Sequence, residues 1–182
     1  MGKHGEAAEP HLGAIAEGLT DDDMQIRRMA CEILGKHGEA AEPHLGAIAE
    51  RLADDSEEIR RMACDILGKH GEARGQTVAA VVAPVLKSSE WHARQMACQL
   101  LGNLGEAAVP HLEAVAGLLS DGNNDVRAAA CSALGNHGKA RGQTVAVLVA
   151  PVLNSSEAAA RTLACQLLGK LGEAVVPHLE AV

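Results

Sequence analysis

The chain has 182 residues and a net charge of −8, and 47% of it is apolar, yet it contains no Phe, no Tyr and a single Trp. That balance excludes an aromatic stacking surface for single-stranded nucleic acid, an aromatic cage for a methylated amine and a binder of phosphate backbones. With 34 Ala, the apolar share consists of small side chains, which argues against one thick globular core.

At the N-terminus, Met1–Pro10 lacks the apolar run of a secretory leader. The longest apolar runs, 78–86 and 145–153, have nine residues, against the ~20 of a membrane span. From Gly2 onward the sequence repeats, in units 2–34, 35–67, 68–101, 102–134 and 135–168, followed by a half unit 169–182. The first two units match at 27 of 33 positions, and units 68–101 and 135–168 match at 25 of 34. Two subtypes alternate from residue 35, so the longer period is 67 residues. Drift between copies, such as Asp55 against Gly122, favours natural duplication over the alternative of a consensus-like engineered array. Neither end reads as a polar cap, so the chain is expected to be part of a longer array, with bare ends suited to head-to-tail self-association.

Each unit reads as two helices, A and B. In the second unit Pro43 suits the first position of helix A, and Leu45, Ile48, Ala49 and Leu52 share one face. Asp54, Asp55 and Ser56 supply the turn and cap chemistry before helix B. Helix B presents Ile59, Met62, Ala63, Ile66 and Leu67 on one stripe. It is expected to end over Gly68–Gly71, with Gly71 in the left-handed conformation. In the second subtype Pro84 and Pro151 fall inside helix A and are expected to kink it. Neither helix can bury its apolar face alone, whereas stacked neighbours can.

The run Val126, Arg127, Ala129, Ala130, Ala133, Leu134, Gly135, Gly138 resembles HEAT repeats, in the short, Ala-rich form of phycobilisome lyases. The resemblance covers essentially the whole chain. It implies an all-α, right-handed α-solenoid of about five and a half two-helix repeats. It also implies a structural ladder of Arg27, Arg60, Arg94, Arg127 and Arg161 with turn aspartates Asp21, Asp54 and Asp121. Ser88 and Ser155 replace the aspartate in the second subtype, so the ladder is expected to weaken at alternate units. Binding and scaffolding are the expected activities, by fold-level analogy. Other proteins are the expected partners, with no nucleic acid and no membrane insertion.

No catalytic residue is assigned. The phosphate-loop, dinucleotide, GxSxG and HExxH patterns are absent. Deoxyhypusine hydroxylases resemble this array but place His–Glu dyads on the second helices, and no His–Glu dipeptide occurs here. Bilin-lyase subunits also resemble it, which leaves a pigment-handling subunit as the alternative reading. No cofactor and no metal are expected. A third reading, a metal-binding histidine array, rests on two rows: His4, His37, His70 and His137, then His11, His44, His111 and His178.

Cys31, Cys64, Cys98, Cys131 and Cys165 recur at spacings of 33 and 34. They read as small packing residues and free thiols, in keeping with a reducing intracellular compartment. In a HEAT-like stack the B helices line the concave side, which nominates Glu57, Glu58, Arg61 and Asp65, then Trp91, His92, Gln95 and Gln99, as a partner-binding face. Trp91 stands where the sister copy has Ala158, and a lone aromatic of that kind is a candidate anchor. The first two units carry as much negative charge as the whole chain, so this face is expected to be charged at its N-terminal end and bland beyond.

Overall fold

The computed structural model describes residues 11–171. The half unit from residue 172 onward, His4, His178 and the surfaces expected to stack head to tail lie outside the described residues. Within them the chain forms eight α-helices and no strand: α1 (Leu12–Glu17), α2 (Met24–Lys36), α3 (Leu45–Glu50), α4 (Glu57–Val82), α5 (Trp91–Asn103), α6 (Leu112–Gly117), α7 (Asn124–Val149) and α8 (Ala158–Leu171). The expected stripes are the buried ones. Leu45, Ile48, Ala49 and Leu52 are at most 1% exposed, and Ile59, Ala63 and Leu67 are fully buried, with Met62 half-buried beside them. One continuous apolar core runs from Leu12 to Leu168. It is thin, because its buried apolar side chains are Ala, Val, Leu, Ile or Cys and nothing larger.

Helix A is mostly 3-10 in the first subtype. Gly38–His44 forms a 3-10 run containing Pro43, only Leu45–Glu50 is α, and Arg51–Ala53 is again 3-10. Pro43 therefore precedes the α-helical part, which corrects its expected placement at the first helical position. Pro84 and Pro151 do not kink a helix either. They fall in five-residue 3-10 segments, Ala83–Lys87 and Ala150–Asn154, that follow the ends of α4 and α7. The first subtype ends its helix A in three 3-10 residues, so the proline segment absorbs the extra residue of the 34-residue unit.

Units are joined in two ways. Entering units 35–67 and 102–134, the preceding helix stops and Gly38 and Gly105 take φ of 49° and 54°. Pro43 and Pro110 disfavour α geometry at the residue before them and remove a donor, so the chain must leave the helix early, through a conformation that glycine tolerates. Entering units 68–101 and 135–168, where Gln76 and Gln143 replace those prolines, the helix runs on. α4 and α7 each span two units with a single non-helical residue, Arg74 (φ −137°, ψ 45°) and Arg141 (φ −140°, ψ 43°). The expectation of a left-handed cap at Gly71 is thus corrected. Gly71 serves close packing instead: a Cβ there would lie 2.5 Å from Leu104 Cδ2.

Candidate functional site

The nominated face exists as a surface. Glu57, Glu58, Arg61 and Asp65 are exposed on α4, and Trp91 and Gln99 are exposed on α5, with His92 and Gln95 half-buried between them. Trp91, in the first turn of α5, is 41% exposed, and its ring meets His92 edge-on with centroids 5.3 Å apart. The corresponding positions in the second, fourth and fifth units, Glu57, Asn124 and Ala158, carry no comparable apolar area, whereas Met24 in the first unit is 40% exposed.

Part of the charge at the N-terminal end of this face is paired locally. Arg61 donates to Glu57 at 2.6 Å, and Glu32 sits between Lys36 at 2.7 Å and Arg28 at 3.7 Å. The hydrogen bond from Arg61 holds the Glu57 carboxyl below its ordinary value, and Lys36 does the same for Glu32. Glu58 and Asp65 form no ion pair among the described residues. Asp21, Asp22 and Asp23, in the turn between helices A and B of the first unit, likewise form no ion pair among the described residues, whereas Asp54 and Asp55 in the next turn pair with Arg27.

Those turns hold the ladder. Arg27 Nε and Nη2 donate to the two carboxylate oxygens of Asp54 in the next unit, at 2.9 and 3.1 Å, and Nη2 also reaches Asp55 at 2.6 Å. Arg94 binds Asp121 in the same way, at 2.7 and 2.9 Å. Burial pushes the Asp54 carboxyl upward, but bonds from Arg27 and the Ser56 amide outweigh it and leave it below its ordinary value. At Asp121 the Arg94 bond is the main cause of a lowered value. Arg60 and Arg127, whose next units present Ser88 and Ser155, make no such pair among the described residues. The weakening therefore falls at the expected units. Asp21 stands outside the described rungs, with its carboxylate accepting from the Asp23 amide at 2.8 Å. Arg161 holds the carbonyls of Ser155 and Ser156.

A second set of ties between repeats escaped sequence reasoning. Arg74, the residue at the bend in α4, reaches back to Glu39 at 3.2 Å and Glu42 at 2.8 Å, and Arg141 reaches back to Glu106. Beside them His70 and His137 are buried, and His137 Nε2 lies 3.0 Å from the Leu101 carbonyl oxygen. Burial lowers the His70 value from its ordinary one. The legible signal was the ARGQT sequence in both copies of the second subtype, one unit after the acidic residues it meets.

All five cysteines are free thiols; Cys31 and Cys98 are buried, Cys64 and Cys131 half-buried, and Cys165 exposed. Among the described residues no group of three or more His, Cys, Asp or Glu side chains is placed to hold a metal ion. No described helix is long and apolar enough to cross a membrane. A groove of about 530 Å³ runs between the A helices of the second and third units, lined by Gly46, Ala49, Glu50, Val81, Pro84 and Ser88.

Two-helix layers stacked on one continuous core, tied by arginines from each layer to the next, define an α-solenoid. The sequence matches the family model of HEAT repeats over residues 43–117 and 112–182, and the chain belongs to the HEAT-repeat family. No curated protein matches it. Among solved structures, one from work on TOG–tubulin binding specificity in microtubule dynamics superposes with a TM-score of 0.71 at 14% identity, over 88% of this chain and 67% of that one. A TOG domain of crescerin, a regulator of microtubules in the primary cilium, gives 0.68 at 17% identity, over 90% and 75%. The CpcE–CpcF complex of the phycocyanin lyase of Nostoc sp. PCC7120 gives 0.53 at 24% identity, over 89% and 65%. These likenesses establish the fold.

Proposed function

We propose that the chain is a non-catalytic scaffold or bracing subunit that binds other proteins across its B-helix face, with Trp91 as the anchor. The observation that carries this reading is the exposure of Trp91, the chain's one aromatic outside the histidines, at 41%, on a row whose other members are Met24, Glu57, Asn124 and Ala158. Large aromatics supply most of the binding energy at interfaces when a partner desolvates them. His92 supports the indole from one side, so the ring is already oriented, which lowers the cost of ordering it on binding. Gln95 and Gln99 extend the surface with donors and acceptors, and Glu58 and Asp65 invite a basic group toward the second unit. The test compares proteins that co-purify with the wild-type chain and with Trp91→Ala, with thermal unfolding as the control for fold. Loss of a partner from the variant at unchanged stability is expected; the same partners at the same yield would sink the anchor.

A second reading, a pigment-handling subunit, draws on the likeness to CpcE–CpcF at 24% identity. It predicts a visible absorption band in natively purified protein, and a colourless protein that retains its partners favours the scaffold.

A further inference from the structure

Four guanidinium groups of the ladder, those of Arg27, Arg60, Arg94 and Arg161, are anchored alike. Arg27 Nη1 donates to the carbonyls of Asp21 and Asp22, both at 3.0 Å. Arg60 Nη1 donates to those of Asp54 and Asp55 at 2.7 and 2.9 Å, and Arg94 Nη1 to those of Ser88 and Ser89 at 2.8 and 2.9 Å. With Nη1 held this way, Nε and Nη2 of Arg27 and Arg94 face the next unit, where each meets a carboxylate. For Arg60 the next unit offers Ser88 and Ser89 in place of Asp54 and Asp55. Arg60 Nε is buried and has no hydrogen-bond partner among the described residues. Leaving a buried charged donor unmet is costly, so such atoms are normally satisfied.

Ser88 reproduces only half of what the aspartates do. Its Oγ accepts from the Glu90 amide at 3.2 Å, as Asp54 Oδ1 accepts from the Ser56 amide at 2.9 Å. The oxygen that would face the arginine of the preceding unit is missing. The equivalent gap at Ser155 is already answered differently, because Arg127 Nη2 turns to Asn124 of its own unit.

We propose that Arg60, Ser88 and Ser89 form a seat for a phosphate-type oxyanion, supplied either as the free ion or as a phosphoryl group on Ser88 Oγ itself. A phosphoryl group carries up to two negative charges and three strong acceptor oxygens, the chemistry with which an arginine fork pairs. Ser88 is half-buried and lines the groove of about 530 Å³ between the A helices, which gives a path to it. Arg94 and the exposed Lys87 favour an anion there; Glu50 on the groove wall and the exposed Asp55 and Glu90 oppose it, and Asp121 neutralises Arg94. In the covalent case the γ-phosphoryl of a nucleoside triphosphate passes to Ser88 Oγ. One P–O bond forms, the β–γ bridging P–O bond breaks, a nucleoside diphosphate leaves, and a base of the transferring enzyme takes the hydroxyl proton.

The test uses the full ¹⁵N-labelled chain and follows the arginine Nε–H resonances while inorganic phosphate replaces chloride at constant ionic strength. A saturable shift of Arg60 is expected, with Arg27 and Arg94 unmoved, and the shift should vanish in Ser88→Asp, whose carboxylate takes the seat. A second arm places phosphoserine at position 88. Without free phosphate, Arg60 Nε–H should then move, and Tm should rise by about 2–4 °C over Ser88→Ala. A response in the first arm assigns the free ion, and a response in the second alone assigns the covalent group. Silence of Arg60 in both arms, or an equal phosphate shift in Ser88→Asp, overturns the proposal.

Discussion

Cys31 and Cys98 share their place in the repeat with Cys165, yet the three thiols differ in chemistry because the layers around them differ. Desolvation pushes the Cys31 thiol up to about 11 and the Cys98 thiol up to about 12, so almost no thiolate forms near neutrality, and thiolate is the reacting species. Cys165 is exposed. With a chromogenic disulfide at pH ~8, Cys165 is expected to react first, Cys64 and Cys131 more slowly, and Cys31 and Cys98 only after denaturant is added. Removal of the fast phase by Cys165→Ser checks that order. Glycines divide in a similar way. A Cβ on Gly46 meets nothing within 4 Å, whereas one on Gly102 would lie 2.9 Å from the backbone of Ala133. Gly46→Ala should therefore stabilise by about 0.5–1 kcal/mol through helix propensity. Gly102→Ala should cost about 1–3 kcal/mol, because backbone must move to admit the methyl. Chemical denaturation of the two variants against wild type reads both signs.

At the level of elements, the ladder gives a pH dependence. The Asp121 carboxyl sits below its ordinary value because Arg94 bonds to it, so its contribution is present above the unfolded value of about 3.9. It is lost as pH falls through the lower folded value. Asp121→Asn should cost about 2 kcal/mol near pH 6, the range for a charge-assisted hydrogen bond, and the gap to wild type should close between about pH 4 and pH 2. A gap that persists at the acid end would falsify an electrostatic origin. The helices also show where sequence was and was not sufficient. Apolar stripes on A and B helices follow directly from 3.6-residue spacing, and Ile59, Ala63 and Leu67 are buried as that spacing requires. The missing rungs could be read from Ser88 and Ser155. Helix continuity across Gly68–Gly71 was missed, since glycine signals a stop on local grounds; the contrast that accompanies it, Gln76 against Pro43, lies five residues further on, and the packing of Gly71 against Leu104 is a contact between layers. The same limit hid the local neutralisation of Glu57 by Arg61, which depends on which i, i+4 neighbours actually meet.

For the molecule as a whole, the consequence is a stack with two kinds of joint. Where a rung is closed, at Arg27–Asp54 and Arg94–Asp121, the covalent link is a glycine turn. Where the rung is open, at Arg60 and Arg127, the link is a continuous helix tied back through Arg74 or Arg141. Stability of a solenoid is approximately a sum over units and nearest-neighbour interfaces. Asp54→Asn should therefore raise amide exchange chiefly in α1, α2 and the adjoining α3, leaving α7 and α8 near wild-type protection. Uniform loss of protection along the chain would mean that coupling extends well beyond neighbours.

The two joints have one further property. The aspartate or serine that closes or opens a rung, and the proline or glutamine that decides whether the preceding helix stops, both lie in the unit being entered. Each unit thus specifies how it attaches to whatever stands before it, in the manner of a connector with its fitting on one end only. An array built this way can lose, gain or reorder whole units, and every remaining seam still carries its own instructions.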